Sequence, residues 1–272
     1  MVNQTTEDQP KQPEIPVEEE VLYVLERYLV RYEEHTFNRA MAEYILLDDF
    51  KINQNVEEVN GISEEAHYIM RLMTQYHITK AFKAMKVTLD DPNVEENLEE
   101  GNIGTPGRLA KVWCGSNLSD SSELGSGRWT KEPRIAVFPN TNTSKDIPIT
   151  KRIDLVSNCS HHLISFNTLN RPDSYAIISY IPDEFVLGIS KLQRLTDWIS
   201  RRFWLQEDVT SAIYDKIADA AQTDSVYVKI VNAVHGCEQL RGAQSNDGAF
   251  SSEMFGGMFT DPEMRKQVDR SI

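Results

Sequence analysis

The stretch SNCSHHLISF (157–166) places Cys159, His161 and His162 within four positions, in a chain with only three cysteines and six histidines. A second thiol lies far along, in AVHGCEQLRG, where Cys237 follows His235 by two residues. Zinc takes thiolate and imidazole ligands tetrahedrally, and catalytic sites keep three protein ligands and leave the fourth place to water. If the two stretches meet in space, they offer two thiolates and up to three imidazoles. Adjacent side chains on extended backbone point opposite ways, so one of His161 and His162 is expected to bind metal and the other to face elsewhere. Cys114 has no histidine nearby and reads as an ordinary core or loop thiol. His67 and His77, on a helix without a thiol, read as ordinary helix residues.

A second kind of chemistry is written in cations. TPGRLAK has Thr105 at an N-cap position and Pro106 at the first helical position, a good start signal. Arg108 and Lys111 follow three residues apart and share a face near the helix start. SKLQR repeats the arrangement, with Ser190 as cap and Lys191 and Arg194 three apart. The helix dipole is positive there, so cations cost stability unless an anion sits between them. Helix N-termini with free N–H groups are ready anion sites. Two such pairs, with Arg241 just after Cys237, in a chain of net charge −14, point to a pocket for a polyphosphate.

Elements must bring these residues together. Residues 18–86 carry helical periodicity, with Val21, Leu22, Val24, Leu25, Tyr28 and Leu29 on one stripe and Ser63 as the cap of a later helix. The acidic loop LDDPNVEENLEEGN follows, then the helix start at TPGRLAK; the Ser/Gly-rich CGSNLSDSSELGSGRW is expected to be a mobile loop. From residue 134 the character changes to strand-like runs: RIAVFP, ITKRIDLVSN, YAIISYI and VYVKIVNAV. Between the last two, SKLQRLTDWISRRFWLQEDVTSAIYDKIADAAQ lacks proline and glycine and is long enough for two helices. FSSEMFGGMF reads as another strand ending in a glycine turn. The pattern is α+β.

Composition narrows the setting. With 40% hydrophobic and 9% aromatic residues, the 272-residue chain has ample material for a core. No apolar run approaches ~18 residues, so no membrane span is expected. The lead-in MVNQTTEDQPKQPEIPVEEE has no apolar h-region; it is expected to be a disordered acidic tail over 1–20. Three cysteines and no export signal suit a reducing, cytoplasmic setting. The net negative charge argues against nucleic acid as a partner.

TPGRLAK, NCSHH, GISKLQRLTDWISRRFWLQEDVTSAI, HGCEQLRG and FGGMF resemble, in order and spacing, the motifs of the GTP cyclohydrolase I family, from about residue 100 onward. The resemblance implies the tunnelling fold: an antiparallel sheet with two helices per subunit, here after an N-terminal helical region over 21–104, with the catalytic domain at 105–272. Sheets of several subunits would join into a barrel, in a homodecamer with active sites at subunit interfaces. Covering the open edges of the sheet is one physical gain of such assembly.

By the same resemblance, Cys159, His162 and Cys237 would be the ligands of Zn2+, and His161 and His235 catalytic histidines. Glu207 would read guanine, with Gln206 beside it, and Ser190 would lie near the ribose. Arg108, Lys111, Lys191, Arg194 and Arg241 would hold the triphosphate of GTP. The implied reaction opens the guanine imidazole ring by hydrolysis, releases C8 as formate and gives 7,8-dihydroneopterin triphosphate. Folate, biopterin and 7-deazaguanine biosynthesis all begin with that step. Ser160 stands where many members have Glu, and Asp208 where Arg is frequent. Two other readings keep the fold: a nucleotide- or pterin-binding regulatory member, and a nitrile reductase of the queuosine pathway. The complete thiol and histidine set argues against the first; the second needs a nucleophilic cysteine instead of a metal ligand.

Overall fold

The computed structural model describes residues 19–29, 43–44, 52–56, 61–91, 94–97, 102–119, 122–142, 146–241 and 249–272. Residues 1–18, most of the tail expected to be disordered, lie outside them.

Two helices open the described chain. Helix α1 (Glu19–Leu29) and helix α2 (Glu64–Ala84) carry acidic residues in their first turns and a basic residue in their last, as the dipole favours. Ser63 caps α2, accepting from Ala66 N at 3.1 Å. Val24, Leu25 and Tyr28 of α1 meet Ile69, Leu72 and Met73 of α2 in a small core of their own. Of the run 18–86 read as helical, 52–55 and 61–63 are not helix; Gly61 has a φ of +80°, which ends any continuous helix there. Two short strands, β1 (Glu96–Asn97) and β2 (Asn102–Ile103), pair before helix α3 (Gly104–Cys114), which packs on α2.

The strand-like runs give β3 (Val137–Pro139), β4 (Ile149–Ile153), β5 (Val156–Cys159), β6 (Ser165–Asn167), β7 (Tyr175–Tyr180) and β8 (Phe185–Leu187). Helix α4 (Ile189–Ser200), strand β9 (Phe203–Trp204) and helix α5 (Gln206–Ala221) follow, and then the long strand β10 (Val226–His235). The chain closes with the short helix α6 (Gly236–Leu240), strand β11 (Phe250–Phe255) and helix α7 (Pro262–Arg270).

One antiparallel sheet dominates. Strand β10 pairs β7 on one side and β11 on the other, and β7 pairs β4. Past a bulge between Ile230 and Ala233, the far end of β10 pairs β6 instead, which leads to β5 and then, in parallel, to β9. Asn232 takes a φ of +52° at the bulge, and its N–H donates to Ser251 Oγ at 3.0 Å. Strand β10 therefore serves two sheet segments and delivers its last residue, His235, to the junction between them.

Alternation along β7 and β10 divides the core. Ala176, Ile178, Val226, Val228 and Ile230 face α4 and α5, whose Leu195, Ile199, Val209, Ile213 and Ile217 are buried against them. Ile177 and Tyr227 face the other way, toward Phe259 and Val268 of the C-terminal segment. The Tyr227 hydroxyl sits 3.2 Å from both Glu253 and Asp269 carboxylates, and Lys229 pairs Asp269 at 2.6 Å, tying α7 to the sheet.

The second part of the Ser/Gly-rich segment, 125–129, is packed, contrary to the mobile loop expected from its composition, whereas Asn117, Ser119 and Ser122 are exposed. Ser126 is fully buried, and a Cβ on Gly125 would stand 1.7 Å from Trp113 O, one on Gly127 2.2 Å from Trp198 O. Small residues there permit backbone-on-backbone approach instead of mobility. Residues 120–121 lie outside the described residues. Cys114 is buried at the end of α3, 3.4 Å from Thr74 Oγ1. His67 is buried and bonds Cys114 O at 2.8 Å, whereas His77 is exposed.

Candidate metal centre and active site

Cys159 ends β5, and the chain reverses at once. The amides of His162 and Leu163 both donate to Cys159 O, at 3.3 and 2.8 Å, and Cys159 N donates to Ile164 O at 2.9 Å. Leu163 adopts a φ of +54° to close this turn, and Trp113 Nε1 of α3 holds the Leu163 carbonyl at 3.2 Å. Residues 160–162 are thus in a turn, which corrects the extended backbone assumed for the histidine pair. The turn itself separates the rings, which lie 6.1 Å apart and nearly perpendicular at 84°. It folds His162 back on Cys159, with Nδ1 3.7 Å from Sγ, and leaves His161 exposed.

Cys237 arrives from β10. His235 pairs Phe166 of β6, and Gly236 lies so close to the β5–β6 hairpin that a Cβ would stand 2.8 Å from Ile164 Cγ2. That approach brings two segments distant in sequence together: the ligand atoms of Cys159, His162 and Cys237 all lie within 4.8 Å of one another. All three cysteines are free thiols.

This donor set fits a zinc ion. Tetrahedral Zn–S and Zn–N bonds place sulfur and nitrogen roughly 3.6 Å apart, close to the 3.7 Å between Cys159 Sγ and His162 Nδ1. Burial pushes the Cys237 thiol up in pKa, and the neighbouring Cys159 sulfur pushes the same way. Two sulfurs side by side are an arrangement that a divalent cation would relieve. The far nitrogen of the same ring, His162 Nε2, faces Arg241 at 3.1 Å.

Beside the three ligands lies an open cavity of about 620 Å³. Of the residues predicted from sequence, it gathers His161, His235, Gln206, Glu207 and Arg241 around Cys159, His162 and Cys237. The His235 ring stacks on buried Phe166 at 4.6 Å and meets Phe250 edge-on at 5.1 Å. Burial holds its imidazole below the usual histidine range, with Glu238 and Glu207 pulling partly the other way. Gln206 and Glu207 open α5, Gln206 buried and Glu207 exposed on the cavity wall.

Five predicted residues do not line this cavity: Arg108 and Lys111 on α3, and Ser190, Lys191 and Arg194 on α4. The helix starts also differ from the sequence reading. Neither has a side-chain cap: Ile103 precedes α3 and Gly188 precedes α4. Thr105 N donates to Val94 O at 3.0 Å, and Lys191 N to Gly188 O at 2.8 Å. Backbone carbonyls thus meet first-turn donors at both starts.

Sequence reasoning missed Phe166, Trp204, Phe250 and Ser252, which wall the cavity or its histidine. The alternation in FSSEMF carried a signal for one of them. Ser252 lies two positions from Phe250 and so shares its face of β11.

Fold and site define an α+β protein with a two-thiol, one-imidazole group, of a kind that could hold a metal ion, at the end of its sheet. The sequence profile of GTP cyclohydrolase I matches residues 78–272, and the chain belongs to the GTP cyclohydrolase I family, a family of hydrolases. It is similar to the GTP cyclohydrolase 1 of Blochmanniella pennsylvanica, 32% identical over 158 residues, which span 58% of this chain and 65% of that protein, just under two thirds. With that of Serratia proteamaculans it shares 28% identity over 192 residues, 70% of this chain and 77% of the relative. With that of Flavobacterium johnsoniae it shares 27% over 197 residues, 71% and 82% of the two. No helix among the described residues is long and apolar enough to cross a membrane.

Proposed function

We propose that the chain is a zinc-dependent GTP cyclohydrolase I, which opens the guanine imidazole ring of GTP by hydrolysis and yields 7,8-dihydroneopterin triphosphate and formate. The observation that carries the reading is the convergence of Cys159, His162 and Cys237 within 4.8 Å on the wall of a cavity that also holds two further histidines and a free-facing carboxylate. Cys159, His162 and Cys237 would hold the zinc, which when bound supplies Lewis-acid chemistry at neutral pH.

The chain's own residues do the rest. Glu207, exposed on the cavity wall, accepts from the N–H groups of the guanine edge. His161 and His235 move protons at the purine imidazole ring as C8 is hydrated and leaves as formate. Arg241 leaves His162 to engage the triphosphate, and Arg108, Lys111, Lys191 and Arg194 complete that grip, with Ser190 near the ribose. Because α3 and α4 start away from this cavity, these five come from neighbouring chains of a homo-oligomer, a decamer, so that each cavity is shared. Clamping the polyphosphate positions the reacting ring and does no chemistry itself. Free thiols suit a reducing cytoplasm.

The deciding experiment incubates the purified protein with GTP, oxidises the product and reads neopterin fluorescence, with and without a zinc chelator. Fluorescence that disappears with chelation and returns with zinc supports the reading. No neopterin from zinc-loaded protein would sink it.

A further inference from the structure

We infer that Ser252 and Thr210, acting through the Gln206 amide, are positioning residues that fix the orientation of the His235 imidazole and the ring nitrogen that carries its hydrogen. Gln206 is 6% exposed at the first residue of α5. Its Nε2 donates to the Phe250 carbonyl at 3.2 Å and to Ser252 Oγ at 3.0 Å. A carbonyl only accepts, so turning the amide over would set its oxygen against that of Phe250. The amide oxygen is left facing His235 Nε2 at 2.7 Å. An amide oxygen takes only a donor, so Nε2 carries the hydrogen and Nδ1 holds the lone pair of the neutral ring.

The hydroxyls give this chain a direction. Thr210 Oγ1 donates to Gln206 O at 2.7 Å and lies 2.7 Å from Ser252 Oγ. With the threonine hydrogen committed, Ser252 is the donor in the hydroxyl pair and keeps a lone pair for Gln206 Nε2. Phe166 and Phe250 hold the plane of the imidazole but do not distinguish its two edges. Among the described residues, the Gln206 oxygen does. Both side-chain N–H groups of Gln206 are occupied within the protein, so this amide positions His235, and among the two adjacent side chains it is the Glu207 carboxylate that is left to read the base. The inference rests on the proposed reaction for its kinetic part alone.

The test reads the ring first. In the full-length protein labelled with 15N-histidine, the His235 resonance, identified by its loss in His235→Asn, is expected to report a single Nε2–H form at mildly alkaline pH. Ser252→Ala is expected to mix the two ring forms at unchanged zinc content, and Ser252→Thr to restore one. With GTP, Ser252→Ala and Thr210→Val are each expected to lower kcat roughly ten-fold, with KM moving less than about two-fold. Ser252→Thr and Thr210→Ser should recover the rate, which also covers the case of a variant that fails to fold. A wild-type His235 signal in Ser252→Ala overturns the inference whatever the rate. So does a raised KM at unchanged kcat, which makes the hydroxyl a substrate contact. If the wild-type chain makes no neopterin, the proposed reaction fails while the resonance still decides this inference.

Discussion

At the start of α5 two adjacent side chains part company: Gln206 is buried against β11, and Glu207 stays exposed on the cavity wall. The buried amide has its donors and acceptor spent inside the protein. The exposed carboxylate is acceptor-only and suits two N–H groups of a guanine edge. Glu207→Gln keeps the size, loses the charge and turns a donor toward one of those groups. The preference for GTP over ITP, which lacks the exocyclic amino group, is then expected to narrow by roughly ten-fold or more in kcat/KM, measured by formate release. An unchanged ratio would remove Glu207 from base recognition.

Among the elements, the contact that matters most is between the end of β10 and the β5–β6 hairpin. His235 pairs Phe166, and Gly236 passes Ile164 and Ser165 too closely for a side chain. Gly236→Ala would set a methyl 2.8 Å from Ile164 Cγ2 and 3.1 Å from Ser165 O, so the backbone must shift and carry Cys237 with it. Zinc affinity, measured by competition with a chromogenic chelator, is expected to fall roughly ten-fold or more with no ligand altered. Circular dichroism should stay as in the wild type. Equal affinity would mean that the hairpin yields and that Gly236 does not set the ligand spacing.

Over the whole molecule, a buried histidine that does not line the cavity sets one pH limit. Burial brings the pKa of His67 down to about 4, despite its bond to Cys114 O, from an unfolded value near 6.5. Between those values the unfolded chain binds a proton that the folded chain refuses. Stability therefore falls as pH drops from about 6.5 to about 4, by up to about 3 kcal/mol, and the loss levels off below. His67→Gln, which can still donate to Cys114 O and does not titrate, should flatten denaturant stability across that window; an equal slope would exonerate His67. A second prediction concerns assembly. Arg108→Ala and Cys237→Ala chains, each expected to be inactive alone, should recover turnover when co-expressed, because some cavities would then combine an intact metal centre with an intact cation pair. No recovery in mixed oligomers would place both halves in one chain.

Much of this protein was legible in its residues. The strand-like runs became β3, β4, β5, β7 and β10, and the long segment without proline or glycine became α4 and α5, because periodicity and propensity act locally. The metal-binding potential of Cys159, His161, His162 and Cys237 was legible for the same reason, since ligand chemistry belongs to residue type. Contact was not. That Thr105 and Ser190 cap nothing, that the chain packs tightly at Gly125 and Gly127, and that His162 bends back on Cys159 depend on which backbone carbonyls and turns lie nearby in space. Residue types supplied the groups available for chemistry; which of them meet was left to the folded chain, because the 4.8 Å span of the thiol–imidazole cluster is set by β10 running from one sheet segment to the other.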